Sequence, residues 1–422
     1  MPSSNAMKQL SQLATYISTS VNEIGYTVDF TKPYGEIRSV YMQKSLAPLS
    51  QSVQLSEKHQ GISYEKGSSE FLKYMECFVK MIKSEWAFSK KILFGDSQRT
   101  AALKLTISMS LTEFVAAGKQ LITIAKRLSY SESVYVFDIL EKYERDCIKT
   151  LQPILEHELE LPELSDLIQL VINTAIKTFC DFMDDVKGKR EINAIVNLST
   201  DGTVNEMTSN ALNYLKRLFL WRDMVEPLLI AIGDGGWNSQ PSLLANKNIS
   251  FEKLTFGTES ALGTALLQKF LIDALDQLCI SLQTKSRGYK KPTLVTIFLL
   301  NNYNYILRQL RSPPLNALFD EATEMKFGKL VKKQLDAYQE SWKPCVENLM
   351  DVTYVRGGAI KNALTHADKQ MIKDKFKNFN MEFDDIWKTQ TAYAIPDPEL
   401  RNQVIRDVKN VIVPMYGRFL DK

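Results

Sequence analysis

Residues 376–410 read FKNFNMEFDDIWKTQTAYAIPDPELRNQVIRDVKN and contain two helical patterns with a break between them. Up to the break, apolar residues recur every three or four positions, which places them on one side of a helix. This spacing predicts an amphipathic helix that packs on its neighbours through an aromatic face. The stripe, which begins just before the quoted stretch, is formed by Ile372, Phe376, Phe379, Phe383 and Ile386.

The break at Pro396-Asp397-Pro398 predicts a capped corner between two packed helices. Pro396 has no amide hydrogen to donate, so a helix that precedes it has to end. The side chain of Asp397 can accept from the free amides of the next helix, and Pro398 suits the first helical position. Nothing about such a corner requires catalysis. The second helix has its own apolar stripe, formed by Val404, Val408, Val411 and Ile412.

The same helical spacing covers most of the chain, whereas alternating strand patterns are scarce. We therefore expect an all-α fold of roughly 12–15 helices, paired by short loops into stacked antiparallel bundles. With 422 residues the chain also exceeds the length of one hydrophobic core. The predicted division is a start codon with a linker remnant at 1–6, N-proximal bundles at 7–200, a middle bundle at 201–310 with a loop at 233–250, and a C-terminal bundle at 311–422.

The charge of the chain is unevenly spread. The net charge is only +3, yet residues 285–422 hold 23 Lys and Arg against 16 Asp and Glu. Such a basic part favours an acidic partner, such as a membrane surface, a nucleic acid or an acidic protein. Nucleic acid is disfavoured among these, because no helix-turn-helix, RRM or zinc module frames the basic residues.

Residues that carry chemistry are few. The five cysteines lie far apart without a CxxC pair, so neither a disulfide framework nor a zinc site is expected. The three histidines form no helical pair, and no phosphate-binding loop or nucleophile elbow occurs. We therefore expect no cofactor and no catalytic residue. No apolar run approaches the ~18 residues of a membrane-spanning helix.

Clustered aspartates are the one signal that resembles an enzyme, and they leave open a magnesium-dependent all-α enzyme that acts on a diphosphate. Isoprenoid synthases hold magnesium with aspartate-rich helices, and the cations then clamp the diphosphate. Here the spacing differs from Asp-Asp-x-x-Asp, and lysines stand close to both clusters, as on solvated helix ends. The clusters are Asp181, Asp184 and Asp185, and Asp384 with Asp385.

Two lysine-rich runs, KFGKLVKK (326–333) and DKQMIKDKFK (368–377), carry much of the positive charge. In the second run Lys369, Lys373 and Lys377 follow at intervals of four, as a ridge beside the buried stripe. A patch of this kind binds anionic head groups with ~1 kcal/mol per well-placed cation. The alternative is an ordinary solvated helix face, in which case the chain is a helical adaptor without membrane contact.

Several segments together resemble a known family. The longest are MIKDKFKNFNMEFDDIWKTQTAYAIPDPELRNQV (371–404), FLLNNYNYILRQL (298–310), YQESWKPCVENL (338–349) and PMYGRFL (414–420). VNEMTSNALNYLKRL (204–218) and YGEIRSVYMQKSL (34–46) extend the match upstream. In this order they resemble the seventy-kilodalton subunit of the exocyst, over nearly the whole chain.

The resemblance implies an elongated rod of consecutive antiparallel helical bundles within an octameric complex. It implies a scaffold, and not an enzyme, that helps tether secretory vesicles to the plasma membrane during exocytosis. The implied partners are other exocyst subunits, a Rho-type GTPase and anionic lipids, chiefly phosphatidylinositol 4,5-bisphosphate. The implied location is the cytoplasm, peripherally at the plasma membrane where secretion is polarised.

The resemblance also implies which residues contact the membrane. The family's basic membrane motif is matched by Lys373, Lys375 and Lys377, and the earlier run is carried over as a second set: Lys326, Lys329, Lys332 and Lys333. We further expect that the family's long N-terminal helical region and its last basic segment lie outside this chain. No motif in the sequence locates a GTPase contact.

Overall fold

The structure, a computed structural model, describes residues 4–24, 31–56, 64–93, 95–156, 159–189, 198–240, 244, 249–256, 260–350 and 366–420. Throughout these ranges the regular structure is helical, and no strand occurs in them. The predicted all-α fold class is therefore confirmed. None of the described helices has both the length and the apolar character needed to cross a bilayer.

The helices differ in length from two turns to eight. In chain order they are α1 (Ser4–Ile24), α2 (Thr31–Ser56), α3 (Glu70–Ser89), α4 (Asp96–Ala125), α5 (Tyr135–Lys142), α6 (Lys149–Leu155), α7 (Pro162–Val186), α8 (Glu206–Leu218), α9 (Arg222–Ile232), α10 (Ala261–Ser286), α11 (Pro292–Leu310), α12 (Glu321–Glu340), α13 (Lys343–Met350), α14 (His366–Gln390) and α15 (Pro398–Leu420). A π-helical segment, Tyr143–Ile148, joins α5 to α6.

Two compact units divide the chain. One comprises Met1–Phe182 and Leu218–Leu267, and the other comprises Met183–Arg217 and Gln268–Lys422. The domain boundaries drawn from the sequence stay a prediction. Ser4–Ala6, which belong to the stretch predicted as a linker remnant, form the first turn of α1.

The first unit has an aromatic core between α3 and α4. Phe78 and Phe114 stack with their ring centroids 4.7 Å apart, and Phe71 stacks on the same Phe114 ring at 5.0 Å. All three side chains are almost completely buried. On α3 the buried aromatic residues lie seven positions apart, so they fall on one face of the helix. The start of that helix is capped by Ser69, whose hydroxyl accepts from the amide of Phe71.

Asp138 is the centre of a buried hydrogen-bond cluster in the first unit, which we call the aspartate hub. Its carboxylate accepts from the Tyr64 hydroxyl, from the Gly67 amide at 2.7 Å and from the Trp221 indole nitrogen. Asp138 is only 4% exposed. Because a buried carboxylate is unfavourable without donors, this cluster holds the turn before α3 and the segment before α9 against α5.

The part of the predicted loop 233–250 that the structure describes is anchored in the same unit. Gly233 and Gly235 have positive φ angles of 77° and 69°, which a residue with a side chain rarely adopts. The short 3-10 turn that follows places Trp237 fully inside the core. Residues 241–243 and 245–248 of this loop lie outside the described residues.

The second unit is organised around α11, which contains an unusual pair of buried amides that we call the asparagine hub, Asn301 and Asn302. The Asn302 oxygen accepts from the Asn205 amide at 3.0 Å and from the Thr208 hydroxyl at 2.7 Å, and its nitrogen donates to the Phe298 carbonyl at 2.7 Å. These bonds tie the start of α8 to α11.

The start of α8 is capped by a residue that precedes the helix. The side chain of Asn205 accepts from the Met207 amide. Thr208 lies inside the helix, fully buried, and its hydroxyl donates to the side-chain oxygen of Asn302. A tertiary contact thus satisfies this buried hydroxyl.

The corner between α14 and α15 has the predicted geometry. Asp397 caps α15, because its carboxylate accepts from the Leu400 amide at 2.8 Å, and the same carboxylate pairs with Arg308 of α11. The chain just before the corner is fixed as well. The Asn301 side-chain nitrogen donates to the carbonyls of Gly202 and Ala394, at 2.7 and 2.8 Å. The asparagine hub therefore positions α14 and α15 against α11.

Candidate functional site

The helix α14 carries three of the predicted membrane-binding lysines, and its apolar stripe packs on neighbouring parts of the second unit. Phe379 is buried, and its ring lies 5.5 Å from that of Tyr416 of α15. Phe376 stacks on Phe419 of the same helix at 5.8 Å, and Phe383 meets Trp342 at 5.9 Å. The predicted amphipathic helix and its aromatic face are thus present. The opposite side of α14 is left to solvent.

The three lysines carried over from the family motif do not share one face of α14. Successive residues of an α-helix are turned by ~100°, so Lys375 points ~160° away from both Lys373 and Lys377. Burial agrees with this, because Lys373 and Lys377 are exposed while Lys375 is half-buried beside the aromatic stripe. The exposed ridge consists of Lys369, Lys373 and Lys377, as the four-residue interval predicts.

Two lysines of this ridge have no ion-pair partner among the described residues. Neither Lys373 nor Lys377 forms an ion pair with any residue that the structure describes. The carboxylate of Asp374, which lies between them in sequence, accepts instead from the Gln370 amide at 3.0 Å. Ammonium groups without an ion-pair partner attract a surface of opposite charge more strongly than paired ones do.

The lysines of α12 lie on the solvent side of their helix, opposite the buried Phe327 and Val331. They differ among themselves in surroundings. Lys326 forms an ion pair with Asp276 of α10, whereas Lys329 and Lys332 line a cleft that also contains acidic residues. Lys333 is exposed. This set is therefore less uniform in charge than the α14 ridge.

In the first aspartate cluster two side chains form ion pairs with lysines, and in the second cluster both side chains are exposed. Asp181 forms an ion pair with Lys177, and Asp184 forms one with Lys189 at 2.7 Å. Asp384 and Asp385 are exposed on α14. Across the described ranges, no three His, Cys, Asp or Glu side chains come together in a way that could hold a metal ion. The diphosphate alternative thus has no geometric support in that part of the chain.

A sequence model of the C-terminal part of Exo70, a component of the exocyst complex, matches residues 68–422. The chain belongs to this family. Among curated relatives, human "Exocyst complex component 7" is 28% identical over 366 residues, which cover 83% of this chain and 46% of the relative. "Exocyst complex protein EXO70" of Yarrowia lipolytica is 24% identical over 392 residues, which cover 92% of this chain and 63% of the relative. The chain thus spans about half to three fifths of the length of these Exo70 relatives.

Solved structures agree with the fold of this Exo70-family chain. A structure of Saccharomyces cerevisiae Exo70 matches with a TM-score of 0.57 and 19% identity, and the match covers 100% of this chain and 75% of the yeast one. A crystal structure of the yeast exocyst component Exo70p matches with a TM-score of 0.58 at 19% identity, covering 98% and 75%. At this identity the likeness concerns the fold alone.

Three buried cysteines of this Exo70-family chain are poor nucleophiles. Burial raises the pKa of the Cys147 and Cys279 thiols to about 12, and it raises the pKa of Cys345 to about 11 with a further contribution from Glu382. Since only the thiolate attacks or binds a metal, these side chains stay in their inert, protonated form at neutral pH.

Some residues that organise the two units or line the α12 cleft were not assigned a role from the sequence. The asparagine hub lies in FLLNNYNYILRQL, where two adjacent amides in an otherwise apolar helix were the available signal. Asp138 offered a similar signal, because it stands among the apolar residues of VYVFDIL. Gly328 offered a third, as a glycine within a helical run. In each case a polar residue or a glycine stands in a stretch that otherwise suits a regular, buried helix. Tertiary contacts explain the asparagine pair and Asp138.

Proposed function

We propose that this chain acts as a scaffold of the exocyst and helps to tether secretory vesicles to the plasma membrane during exocytosis. The match of the Exo70 C-terminal family over residues 68–422 carries this proposal. The curated relatives are named as exocyst components, and the helical fold resembles that of yeast Exo70. The proposal involves no catalysis.

The membrane contact in this proposal is made by Lys373 and Lys377, with a smaller contribution from Lys375. The supporting observation is that the first two are exposed on one ridge without ion pairs to described residues. Each cation near an anionic surface contributes about 1 kcal/mol, and a phosphoinositide such as phosphatidylinositol 4,5-bisphosphate offers several negative charges. The α12 set, Lys326, Lys329, Lys332 and Lys333, is proposed as a second and weaker contact.

The proposed protein partners are other exocyst subunits and a Rho-type GTPase. A cytoplasmic location, peripheral at the plasma membrane, goes with these partners and with the lipid contact. The geometry assigns no residue to the GTPase. Since α14 and α15 are held by the asparagine hub, the ridge would be presented to the membrane in a fixed orientation within its own unit.

Co-sedimentation with vesicles tests the lipid contact. Vesicles of phosphatidylcholine with and without phosphatidylinositol 4,5-bisphosphate are mixed with the wild-type chain and with the double variant Lys373→Ala/Lys377→Ala, across a range of salt concentrations. Loss of about 2 kcal/mol corresponds to roughly thirtyfold weaker binding. The matched control is Lys83→Ala/Lys104→Ala, which removes the same charge from two exposed lysines of the first unit.

The outcomes separate the parts of the proposal. Lipid-dependent, salt-sensitive binding that only the α14 variant loses supports the ridge. Equal loss in both double variants would mean that net charge alone is responsible, and unchanged binding of the α14 variant would mean that the contact lies elsewhere. If the wild-type chain does not bind vesicles that contain the phosphoinositide, the membrane role is refuted. If the chain does not co-purify with exocyst subunits, the scaffold role is refuted.

A further inference from the structure

A cleft of about 630 Å³ lies along α12 in the second unit. One wall is the exposed face of this helix, and the other is formed by the end of α11 and the turn that follows it. On α12 the lining residues Glu321, Met325, Gly328 and Lys332 recur at intervals of four, three and four, so they form one ridge. The opposite side of the same helix is buried through Phe327 and Val331.

The cleft exposes apolar surface that no described residue of the second unit covers. Met325 is 50% exposed although it stands in the middle of the lining residues. Phe319, which is half-buried, contributes apolar surface from the opposite wall. A methionine adapts to partners of different shape because its side chain is unbranched and polarisable. The centre of the cleft is thus suited to an apolar side chain from another molecule.

Gly328 stands in the same cleft, and no contact among the described residues requires a glycine there. The residue lies within α12, and a Cβ built on it would have no neighbouring atom within 4 Å. A glycine within a helix costs about 1 kcal/mol relative to alanine. Its lack of a side chain is useful where another backbone must approach closely. The glycine thus leaves room for the backbone of another molecule to approach α12 closely.

The charges of the cleft are balanced and arranged along its length. Asp320, Glu321 and Glu324 lie at the N-terminal end of α12, whereas Lys329 and Lys332 lie about two turns further along. A third cation of the lining, Arg311, is held by Glu324 at 2.7 Å. Carboxylates at one end would repel a polyanionic head group, so the cleft favours a ligand that carries both signs of charge.

We propose that this cleft docks an amphipathic helical segment of a partner protein. An apolar residue of the segment packs on Met325 and Phe319, and its backbone passes close to Gly328. A basic residue at one end faces Glu321, and an acidic residue at the other end faces Lys329 and Lys332. The distance from Glu321 to Lys332 along α12 is ~17 Å, which about three turns of a bound helix span.

This inference goes beyond the proposed membrane contact. It assigns Lys329 and Lys332 of the weaker α12 set to a protein partner instead of lipid, and it leaves the α14 ridge to lipid. A defined probe is obtained by display selection. A library of random peptides of about 15 residues, long enough for four helical turns, is selected on the purified chain and depleted on a Gly328→Trp variant, which fills the cleft. Affinities of the enriched peptides, as synthetic peptides, are then measured by fluorescence anisotropy.

The structure offers a matched pair of variants for these measurements. Gly328→Ala adds a methyl group in the cleft, and Gly417→Ala adds one at a second helical glycine, on α15, that also has open space around it. Both should keep or raise the thermal stability of the chain, because alanine is the better helix former. We expect Gly328→Ala to weaken binding of the selected peptides about tenfold, because the added methyl group keeps the bound backbone from its close approach, and Gly417→Ala to leave binding unchanged.

Charge reversal completes the test. Lys329→Glu/Lys332→Glu should abolish binding of peptides with an acidic end, and exchanging that end for lysine should restore it. The inference is overturned if no peptide is sensitive to the Gly328→Trp depletion, if the enriched peptides lack opposite charges at their ends, or if Gly328→Ala binds them as wild type does. It is also overturned if the Gly328→Trp variant loses binding to phosphatidylinositol 4,5-bisphosphate vesicles and keeps binding to the peptides.

The α14 double variant should bind the peptides normally, so a failure of the membrane proposal is distinguished from a failure of this one.

Discussion

Each of the two units has a buried polar side chain that holds distant segments together, and the two side chains differ in the hydrogen bonds that they can form. The aspartate hub of the first unit is a carboxylate that only accepts, and it collects three donors from two other segments. In the asparagine hub of the second unit, the Asn302 amide accepts two hydrogen bonds and donates one. Both centres are almost completely buried. In each unit, the pattern of donors and acceptors on the neighbouring segments matches the central side chain.

The comparison teaches that the pattern of donors and acceptors matters at each centre, so that even the exchange of one polar atom should lower the stability. Aspartate and asparagine have nearly the same shape, yet a carboxylate in the asparagine hub would face a carbonyl, and an amide in the aspartate hub would face a donor. A buried polar group left without a partner costs about 1–3 kcal/mol. The hubs therefore specify which segments pair, and surface charges contribute much less.

The largest effect is expected for Asp138→Ala, which breaks the aspartate hub. The change leaves the Tyr64 hydroxyl, the Gly67 amide and the Trp221 indole without their shared acceptor, so the free energy of unfolding should fall by about 4 kcal/mol. Chemical denaturation followed by tryptophan fluorescence measures it. As a control, Asp223→Ala removes a carboxylate that pairs with Arg145 at the surface and should cost less than about 1 kcal/mol. Equal effects of the two variants would contradict the central role of Asp138.

A smaller loss, about 3 kcal/mol, is expected for Asn302→Asp, which sharpens the comparison by changing one atom. The new carboxylate can still accept from Asn205 and Thr208, but it can no longer donate to the Phe298 carbonyl, and oxygen faces oxygen. Asn304→Asp on the same helix, at a half-buried position, is the control. If denaturant titration gives the same stability for both variants, the amide donor of Asn302 has no structural role.

The capped corner should be less sensitive than either hub. Asp397→Ala removes the bond to the Leu400 amide and the ion pair with Arg308, and loss of a cap costs about 1 kcal/mol. Asp397→Asn keeps an acceptor for the amide and should recover most of this loss. An Asp397→Ala variant as stable as wild type in the same titration would show that the cap contributes nothing.

The smallest effect is expected at Glu76, a surface carboxylate of the first unit. Its hydrogen bond with Lys142, helped by Lys80, lowers its pKa to about 2. A carboxyl with a depressed pKa stabilises the fold above its usual pKa of ~4.3, and this contribution is lost as the pH falls toward 2. Because the side chain is 39% exposed, solvent screening limits the contribution to less than about 1 kcal/mol.

The change Glu76→Gln should therefore lower the melting temperature slightly at pH 7 and leave it equal to that of wild type near pH 2. Thermal unfolding between these pH values checks the trend. A difference that grows toward acid pH would have the wrong sign and would contradict the ion pairs with Lys142 and Lys80. Among the predicted losses of stability, the one caused by removal of a surface charge is therefore the smallest.

The lysines show how far sequence reasoning reached into the candidate site. The interval of four placed Lys373 and Lys377 on one ridge, and the structure agrees. Lys375 was grouped with them by a motif, but the turn of the helix places it on the other side of the aromatic stripe. The pairing of Lys326 with Asp276, fifty residues away, could not be read from the chain because no local pattern connects them. Whether these residues contact lipid stays a prediction.

Spacing along the chain determined the all-α fold, the aromatic stripe of α14 and the cap at Asp397, because a helix is stabilised by residues within one or two turns of each other. Contacts across the chain decided the rest. Tyr64 lies 74 residues from Asp138, and Asn205 lies 97 residues from Asn302. The same is true of the cleft at Gly328, whose second wall comes from another helix and a turn. Hydrogen bonds and packing between distant segments depend on how the helices meet in space, and only the tertiary structure contains that information.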